Sequence, residues 1–379
     1  MSLLDVEELA VTFPVEDGPN VPAVDGVDLQ VEAGEIHGLV GESGSGKSVT
    51  ARSIMRLLDD AEVSANRFDY RGEDLYAKSE AEMRRIRGDE IGMVFQDALS
   101  ALNPVMTVGE QIAEVVRHHG DVDESAGLLS ELRRKYVTGT SKTAPSWRRA
   151  VDLLETVGIP DPEAVATSYP HQLSGGQRQR VMIASALGGD PSLIVADEPT
   201  TALDVTVEAS ILDELQRLCD EFDVAILLIT HDLGVVAETC DSVTVMYSGS
   251  VMEHGRTDQL FEHPAHPYTK GLLRSIPEQA PADGELTTIP GSAPEPADRP
   301  AGCPFRDRCP AAFDACSEPL PEHAVETGHT ARCHLYTEGE GPSEVAWDGV
   351  AGVEGETNGA VDDADATADR TTATEVTDG

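Results

Sequence analysis

The chain has 379 residues, 40% hydrophobic and 25% charged, which suits one large globular domain with appendages and excludes a fibrous or wholly disordered protein. Its formal net charge of −42 at pH 7 argues against a broad nucleic-acid-binding surface, because non-specific affinity for phosphate comes from Lys and Arg. Most of the basic residues are Arg, a bias expected of proteins that stay hydrated in concentrated salt, and we hypothesise a salt-loving source.

The apolar stretches, of which 224–229 is one of the longest, are far shorter than the roughly 20 residues that a membrane helix requires. The first fifteen residues carry acids and no basic cluster before an apolar run, so no secretory signal is visible. We therefore expect the chain to remain in the cytoplasm. In that reducing compartment its six cysteines favour metal ligation or buried thiols over disulfides.

Residues 1–255 alternate short β-rich runs with helical patterns, which predicts an α/β domain with a mostly parallel sheet. The runs 36–40, 193–196 and 224–229 are continuously apolar, as strands covered on both faces should be. Between residues 206 and 222 apolar residues recur at helical spacing, which predicts a helix packed on the sheet.

The other segments are predicted from pattern and composition. Helical patterns around 108–116 and 148–157 predict a helical subdomain at about 98–172, and its polar, irregular part is interpreted as an inserted surface excursion at about 119–147. Dense Pro and Gly at 277–300 indicate a linker, and the extended linker segment is assigned to 256–300. A cysteine-bearing module follows at 301–336. Residues 337–379 are predicted to be a disordered acidic tail, because they cannot bury enough apolar surface to offset the entropy of ordering.

The strongest motif is Gly-Glu-Ser-Gly-Ser-Gly-Lys-Ser, which matches a P-loop directly after an apolar strand and before a helix-compatible run to Leu58. Its glycines let backbone N–H groups close around phosphate oxygens, while Lys47 is expected to reach the outer phosphates and Ser48 to bind magnesium. An ordinary glycine turn is the alternative, and the strand-to-helix setting weakens it. The predicted nucleotide-binding residues are Gly41, Glu42, Ser43, Gly44, Ser45, Gly46, Lys47, Ser48 and Val49.

An acidic pair follows the apolar run 193–196, at the edge where open α/β sheets bind ligands. Asp197 is predicted to hold magnesium through water. Glu198 is predicted to orient or deprotonate the attacking water, because phosphoryl transfer depends on positioning and charge stabilisation. An acidic pair is often only a solvated strand end, but beside a P-loop the catalytic interpretation is favoured.

A third motif, Leu-Ser-Gly-Gly-Gln at 173–177, precedes a helix-compatible run and resembles the signature loop of ABC ATPases. The resemblance implies an ABC-type P-loop ATPase core with a helical subdomain. It also implies that two cassettes pair head to tail with two ATP molecules in the interface. In that arrangement the γ-phosphate held by one subunit is contacted by the signature loop of the other, here Ser174, Gly175, Gly176 and Gln177.

Four further residues match ABC ATPases by resemblance. Gln96, after a predicted strand, matches the glutamine that senses magnesium and the attacking water, and His231 matches the switch histidine that contacts the γ-phosphate. Asp204 lies in a segment that resembles the loop contacting the opposite nucleotide site. Phe13 resembles the aromatic residue that stacks on adenine, with a core aromatic as the alternative.

Several stretches resemble the ATPases of oligopeptide and dipeptide (peptide/nickel) importers more closely than ABC proteins in general. The resemblance implies a peripheral subunit on the cytoplasmic face of the cell membrane that hydrolyses ATP. Its implied partners are a second, identical or paralogous ATPase, two transmembrane permeases and, indirectly, an extracellular solute-binding protein. Ala98, in place of the usual proline, and the predicted insertion depart from the family near the expected permease contact. The stretches are 95–104, 169–183, 266–273 and 289–291.

The solute is left open by the sequence: peptides are the family expectation, while nickel, sugars or other solutes remain alternatives. A soluble ABC ATPase of DNA repair or translation is disfavoured, because the sequence shows neither a very long coiled-coil interruption nor a second cassette. A protein that chiefly senses metals or redox state would leave a complete hydrolytic motif set unexplained.

Cys303, Cys309, Cys316 and Cys333 supply four thiols, a number that suits either tetrahedral zinc or an iron–sulfur cluster. The stretch Gly-Cys-Pro-Phe-Arg-Asp-Arg-Cys-Pro at 302–310 resembles the peptide-importer ATPases, and that resemblance favours a 4Fe–4S cluster. Nearby histidines keep zinc as an alternative, and unligated thiols are the third.

Overall fold

The computed structural model describes residues 2–15, 18–120, 122, 140–201, 203–276 and 289–336. The predicted acidic tail, most of the predicted insertion and residues 277–288 of the predicted linker lie outside the described residues.

The main sheet in the described part of the chain has the strand order β12-β13-β11-β10-β3-β9-β8-β7. Neighbouring strands from β10 to β7 are parallel, and those from β12 to β10 are antiparallel. Every residue of β3, β8 and β9 is buried, as their continuous apolar runs predict. The strand bounds are β3 Ile36–Val40, β7 Ile91–Val94, β8 Leu193–Asp197, β9 Ala225–Thr230, β10 Ser242–Tyr247, β11 Ser250–Arg256, β12 Glu322–Glu326 and β13 His329–Arg332.

A second, antiparallel sheet is built on β1 and shares a hydrophobic core with the main sheet. Leu9 of this sheet belongs to the same buried cluster as Leu39 of β3 and Ile54 of the first helix, and all three are fully buried. Each side chain of this size contributes about 1.5–3 kcal/mol on burial. The strands are β1 Ser2–Phe13, β2 Val21–Glu32, β4 Glu62–Ser64, β5 Arg67–Tyr70 and β6 Glu73–Asp74.

The helices confirm the amphipathic patterns of the sequence, but some of them begin or end at residues other than those predicted. The predicted helix at 206–222 begins one residue earlier, and the helix that follows the P-loop ends at Ile54 instead of Leu58. The bounds are α1 Lys47–Ile54, α2 Glu80–Arg85, α3 Ala98–Ala101, α4 Val108–His119, α5 Pro145–Thr156, α6 Pro162–Ala166, α7 Gly175–Ala186, α8 Val205–Phe222, α9 Leu233–Thr239, α10 Thr257–Glu262 and α11 Pro267–Arg274.

The predicted insertion at 119–147 is too wide at both ends. His119 is the last residue of α4, and Trp147, only 7% exposed, lies in the first turn of α5. Pro145 occupies the start of that helix, where its fixed φ is favourable and its missing N–H costs nothing. Polar composition therefore concealed a helix start that tertiary packing of Trp147 stabilises.

The predicted extended linker is likewise too long, because α10 and α11 fall within 256–276. In α11 the side chain of His266 caps the helix by accepting a hydrogen bond from the Tyr268 backbone N–H at 3.0 Å. Pro267 again occupies the first turn. The predicted linker therefore begins too early in the chain.

Residues 301–336 do not form a separate layer, because their strands β12 and β13 extend the main sheet beyond β11. A buried pair reinforces this edge: His329 Nε2 on β13 lies 2.8 Å from Glu253 Oε1 on β11, and both side chains are fully buried. The same carboxylate accepts hydrogen bonds from the backbone N–H groups of Ala265 and His266. The cysteine-bearing segment is thus joined to the main sheet.

No helix in the described part of the chain is both long and apolar enough to cross a membrane.

Candidate functional site: a phosphate loop facing two carboxylates

The P-loop connects the carboxyl end of β3 to α1, as the sequence predicts. Gly41 passes so close to β10 that a Cβ there would lie 2.1 Å from the Met246 carbonyl oxygen. A side chain at this position would displace the loop, and only glycine permits the close approach. The loop ends at Lys47, the first residue of α1, so the N-terminus of that helix faces the space that the loop encloses.

The Lys47 side chain is folded into the loop and is only 5% exposed. Its Nζ donates hydrogen bonds to the carbonyl oxygens of Gly41 at 2.7 Å and Glu42 at 2.9 Å, and to Ser45 Oγ at 3.2 Å. Burial lowers the pKa of Lys47, while the nearby carboxylates of Glu198, Asp197 and Glu42 act in the opposite direction. The ammonium group of Lys47 therefore lies inside the loop.

Ser48 and Asp197 meet although 149 residues separate them: Ser48 Oγ donates to Asp197 Oδ1 at 2.8 Å. Asp197 ends β8 and is 1% exposed. Burial raises its pKa, and the Ser48 hydrogen bond and the positive charge of Arg52 partly oppose that rise. A hydroxyl and a carboxylate oxygen are hard ligands of the kind that Mg²⁺ prefers, so this donor set fits magnesium.

Glu198 is the centre of a polar cluster at the end of β8. Its Oε2 accepts hydrogen bonds from Gln96 Nε2 at 2.7 Å and from Thr201 Oγ1 at 2.8 Å, and His231 Nδ1 lies 3.5 Å from its Oε1. Burial alone would raise its pKa, but the Thr201 hydrogen bond, the contact with His231 and the charge of Lys47 together outweigh burial and lower it. The carboxyl group is therefore ionised at neutral pH.

The backbone of Glu198 has φ 47°, in the left-handed region that a non-glycine residue rarely adopts. Its N–H donates to the Ile229 carbonyl of β9 at 2.9 Å, which fixes the turn against the neighbouring strand. Such strain persists only where the surrounding structure holds it, and it is frequent at active sites.

Beside Gln96 and Asp197 a cavity of about 420 Å³ offers room for a ligand.

The structure brings together Lys47, Ser48, Asp197, Glu198, Gln96 and His231. Sequence reasoning missed two neighbours, Thr201 and Arg52, whose contacts orient Glu198 and moderate the pKa of Asp197. The only local signal for Thr201 is its position three residues after Glu198 in a turn, where its backbone N–H bonds to the Glu198 carbonyl at 3.3 Å.

The signature loop forms the N-terminus of α7. Ser174 Oγ accepts from the Gln177 N–H at 3.3 Å and Gln177 Oε1 accepts from the Ser174 N–H at 3.0 Å, which together form a capping box. A Cβ on Gly176 would lie 2.5 Å from Val207 Cγ1, so α8 lies against this loop. Asp204 caps α8 by accepting from the Val207 N–H at 3.0 Å.

The exposed side of this loop is directed to solvent in the single chain. Ser174 and Gly175 are exposed, and the hydrogen bonds of 174–177 within the described residues do not reach the P-loop of the same chain. Phe13, at the end of β1, is half-buried and packs against the shared core. That packing fits the core-aromatic alternative, and adenine stacking by Phe13 stays a prediction.

The four cysteines 303, 309, 316 and 333 line one small cavity together with His266 and His334. Burial raises the pKa of Cys303 to about 12 and those of Cys309 and Cys333 to about 11. Across the described ranges, no group of three or more His, Cys, Asp or Glu side chains is arranged to hold a metal ion. The four thiols are neighbours around one cavity, and ligation of a metal or cluster by them stays a prediction.

Comparison with family models gives two matches. A model described as ABC transporter covers residues 24–201, which includes the P-loop, the signature loop and both carboxylates. A model described as oligopeptide/dipeptide transporter, C-terminal region, covers residues 252–316.

Curated relatives match along most of their length. The chain is 46% identical over 343 residues to the oligopeptide transport ATP-binding protein AppD of Bacillus subtilis, covering 89% of this chain and 98% of that protein. It is 44% identical to the dipeptide transport ATP-binding protein DppD of Escherichia coli, with 88% and 97% covered. A putative peptide import ATP-binding protein of Brucella abortus is 47% identical, with 87% and 94% covered.

Solved structures agree with the fold. The dimeric structure of MJ0796, described as a bacterial ABC transporter cassette, has a TM-score of 0.55 and 26% identity, and the match covers 67% of this chain and 98% of that one. CbiO1 of Clostridium perfringens, part of an ABC transporter complex, has a TM-score of 0.54 and 27% identity, with 69% and 91% covered.

Proposed function

Because this chain belongs to the ATP-binding subunits of ABC transporters, within the oligopeptide/dipeptide transporter family, we propose that it drives the uptake of peptides through partner permeases. The chain is an ATPase of the ABC cassette fold, and ATP and Mg²⁺ are the cofactors that this family requires. Peptide as the solute is supported by the names of its relatives and by the C-terminal family match.

In the proposed site, Lys47 and the N-terminus of α1 bind the phosphates, while Ser48 and Asp197 hold magnesium. Bound Mg²⁺ would neutralise charge on the outer phosphates. Glu198 accepts a proton from water or orients it, held in place by Gln96 and Thr201. The contact between Glu198 and its neighbours is the single observation that carries this assignment.

The signature loop is proposed to act on a second cassette. Its serine and helix N-terminus make an anion site on the exposed side of α7, and 174–177 make no hydrogen bond to their own P-loop. A partner's ATP is the anion that would complete this site. The partner is an identical or a paralogous chain, together with two permeases and an extracellular solute-binding protein.

Co-expression with candidate permeases tests the transport role. We expect the chain to co-purify with two hydrophobic permease subunits and to support ATP-dependent accumulation of radiolabelled dipeptide in proteoliposomes. Lys47→Ala is the matched control, because it should assemble equally well and transport nothing. Co-purification with ribosomes or DNA ends would contradict the transport role. Uptake of nickel or a sugar, but not of peptide, would show that the solute is not a peptide.

The cysteine cavity is proposed to bind a 4Fe–4S cluster, with zinc as the alternative. Four thiols suit either group, and the C-terminal family match covers three of the four cysteines. Both groups bind deprotonated thiolates, so binding would have to lower pKa values that burial now raises.

Iron, sulfide and zinc analysis of anaerobically purified protein distinguishes these alternatives. We expect about four iron and four sulfide per chain, as the cluster requires, and loss of both in the Cys303→Ser variant. Cys219→Ser is the matched control, because this buried thiol lies on α8 and does not line the cavity. Zinc alone would contradict the cluster, and absence of both metals would leave the thiols unligated.

A peripheral position at the cytoplasmic face of the membrane is proposed on the same family grounds. The salt-loving source stays a prediction that rests on the net charge of −42 and on the predominance of Arg over Lys.

A further inference from the structure

Glu42, the second residue of the P-loop, is held by hydrogen bonds on three sides. Its carboxylate accepts two from Arg308 Nη1, at 3.0 Å to Oε1 and 2.8 Å to Oε2. Its backbone N–H donates to the Tyr268 hydroxyl at 3.0 Å, and its carbonyl accepts from Lys47 Nζ at 2.9 Å. Two of the three contacts therefore come from residues more than 200 positions along the chain.

Arg308 is itself fixed in place. Its Nε donates to the Pro290 carbonyl at 2.8 Å, its Nη2 to the Gly291 carbonyl at 3.2 Å, and its Nη1 also donates to the Tyr247 hydroxyl at 3.1 Å. The side chain is only 9% exposed. Because the guanidinium is a planar fork held by several acceptors, it meets Glu42 with little further loss of conformational freedom.

Arg308 neutralises the negative charge of Glu42, which would otherwise repel the phosphates of bound ATP. Glu42 is an acid inside a loop that must surround the phosphates of ATP, and like charges at short range repel. The Arg308 pair is partly buried, so salt screens it less than a surface pair. Without Arg308, the unpaired carboxylate would oppose phosphate binding and would be free to leave its position.

We propose that Arg308 is a positioning residue for the P-loop: by pairing with Glu42 it fixes the loop and removes a charge that would repel ATP. The inference rests on the proposed nucleotide site. It gives the segment around Cys309 a direct connection to that site, because Arg308 precedes Cys309 and bonds to the loop through its side chain.

Arg308→Gln is expected to raise the Kd for ATP roughly tenfold, the range expected for losing a charge-assisted hydrogen bond. The kcat at saturating ATP should change less than about twofold, since the catalytic cluster around Glu198 is untouched. Titration of the full chain with a fluorescent ATP analogue, with KM and kcat measured in parallel, gives both values.

Adding Glu42→Gln to Arg308→Gln is expected to restore affinity to within about threefold of wild type, because the uncompensated charge is gone. A purely structural arginine would show no such rescue. Arg306→Gln is the matched control, because Arg306 lies in the same turn but bonds to the Ala301 carbonyl and Ser317 instead of the P-loop. Its Kd should equal that of wild type.

Unchanged ATP affinity in folded Arg308→Gln, or a double variant as weak as the single one, would overturn the proposal. If Arg308→Gln does not fold, Arg308→Lys replaces it. Arg308 reaches Glu42 and the Pro290 and Gly291 carbonyls from three different nitrogen atoms. The single nitrogen of a lysine lacks that planar fork, so the loop is held less firmly and Kd should still rise. An unchanged Kd in that variant would equally overturn the proposal.

The Lys47→Ala variant distinguishes rejection of the positioning role of Arg308 from rejection of the proposed nucleotide site. Loss of ATP binding in Lys47→Ala with unchanged binding in Arg308→Gln rejects only the positioning role. Wild-type binding in Lys47→Ala would reject the nucleotide site itself.

Discussion

Glu198→Gln is expected to bind ATP with near wild-type affinity and to hydrolyse it roughly 10²- to 10⁴-fold more slowly, the usual contribution of a general base. The amide has the shape of the carboxylate and can still accept a hydrogen bond from Gln96 or Thr201, so the turn should survive. It cannot accept a proton from water. Single-turnover phosphate release, measured beside equilibrium ATP binding, separates the chemical step from affinity.

The control for this variant is Glu163→Gln, which makes the same exchange at an exposed acid of α6. Its turnover should match that of wild type. If Glu198→Gln hydrolysed ATP at a near-normal rate, the base would have to be sought elsewhere, and the contacts of Gln96 and His231 with this carboxylate would need another explanation.

The sequence predicts best those parts of the fold that are determined by residues close together in the chain. The strands β3, β8 and β9 consist of buried, mostly apolar residues, and the glycine-rich motif between β3 and a helix-compatible run identifies the P-loop. The carboxylates Asp197 and Glu198 follow from the position of β8 in a parallel sheet, where strand ends meet at one edge.

Long-range pairing limits what the sequence reveals at the C-terminal end. The strands β12 and β13 have five and four residues, too few for a period of two to be distinct. Their place in the sheet comes from pairing, of β13 with β11 and of β12 with β13. The contact between Arg308 and Glu42 joins residues 266 positions apart. No local pattern predicts such a contact, because it depends on how the finished sheet brings the two segments together.

Local signals were also ambiguous where one residue serves two purposes. Proline marks both linkers and the first turn of a helix, and the prolines of α5 and α11 are of the second kind. What distinguishes them is a neighbouring residue: His266 caps α11, and Trp147, in the first turn of α5, packs its ring against Gly109 of α4. Composition alone therefore does not distinguish the two kinds of proline, because it does not show which side chains are buried or cap a helix.

Ser174→Asp is expected to lower ATP turnover on the order of 10²- to 10³-fold while leaving both stability and the chain's own nucleotide affinity close to wild type. Asp caps a helix about as well as Ser, and its charge is favourable beside a helix N-terminus, so α7 should keep its capping box. The same negative charge would face the γ-phosphate of a partner's ATP and repel it. Steady-state ATPase assays and thermal melting measure the two effects separately.

Thr107→Asp makes the same kind of exchange at the cap of α4, where the Thr107 hydroxyl accepts a hydrogen bond from the Glu110 N–H and donates one to Glu110 Oε2. The new carboxylate would repel that of Glu110, so a modest fall in melting temperature is expected for this variant alone. Because that helix end plays no part in the proposed nucleotide interface, its turnover should be unchanged. Normal turnover in Ser174→Asp would mean that the exposed end of α7 closes on no phosphate, and the composite site shared by two cassettes would be rejected. If ATP turnover and melting temperature fell together in both variants, the role of Ser174 would be limited to capping α7.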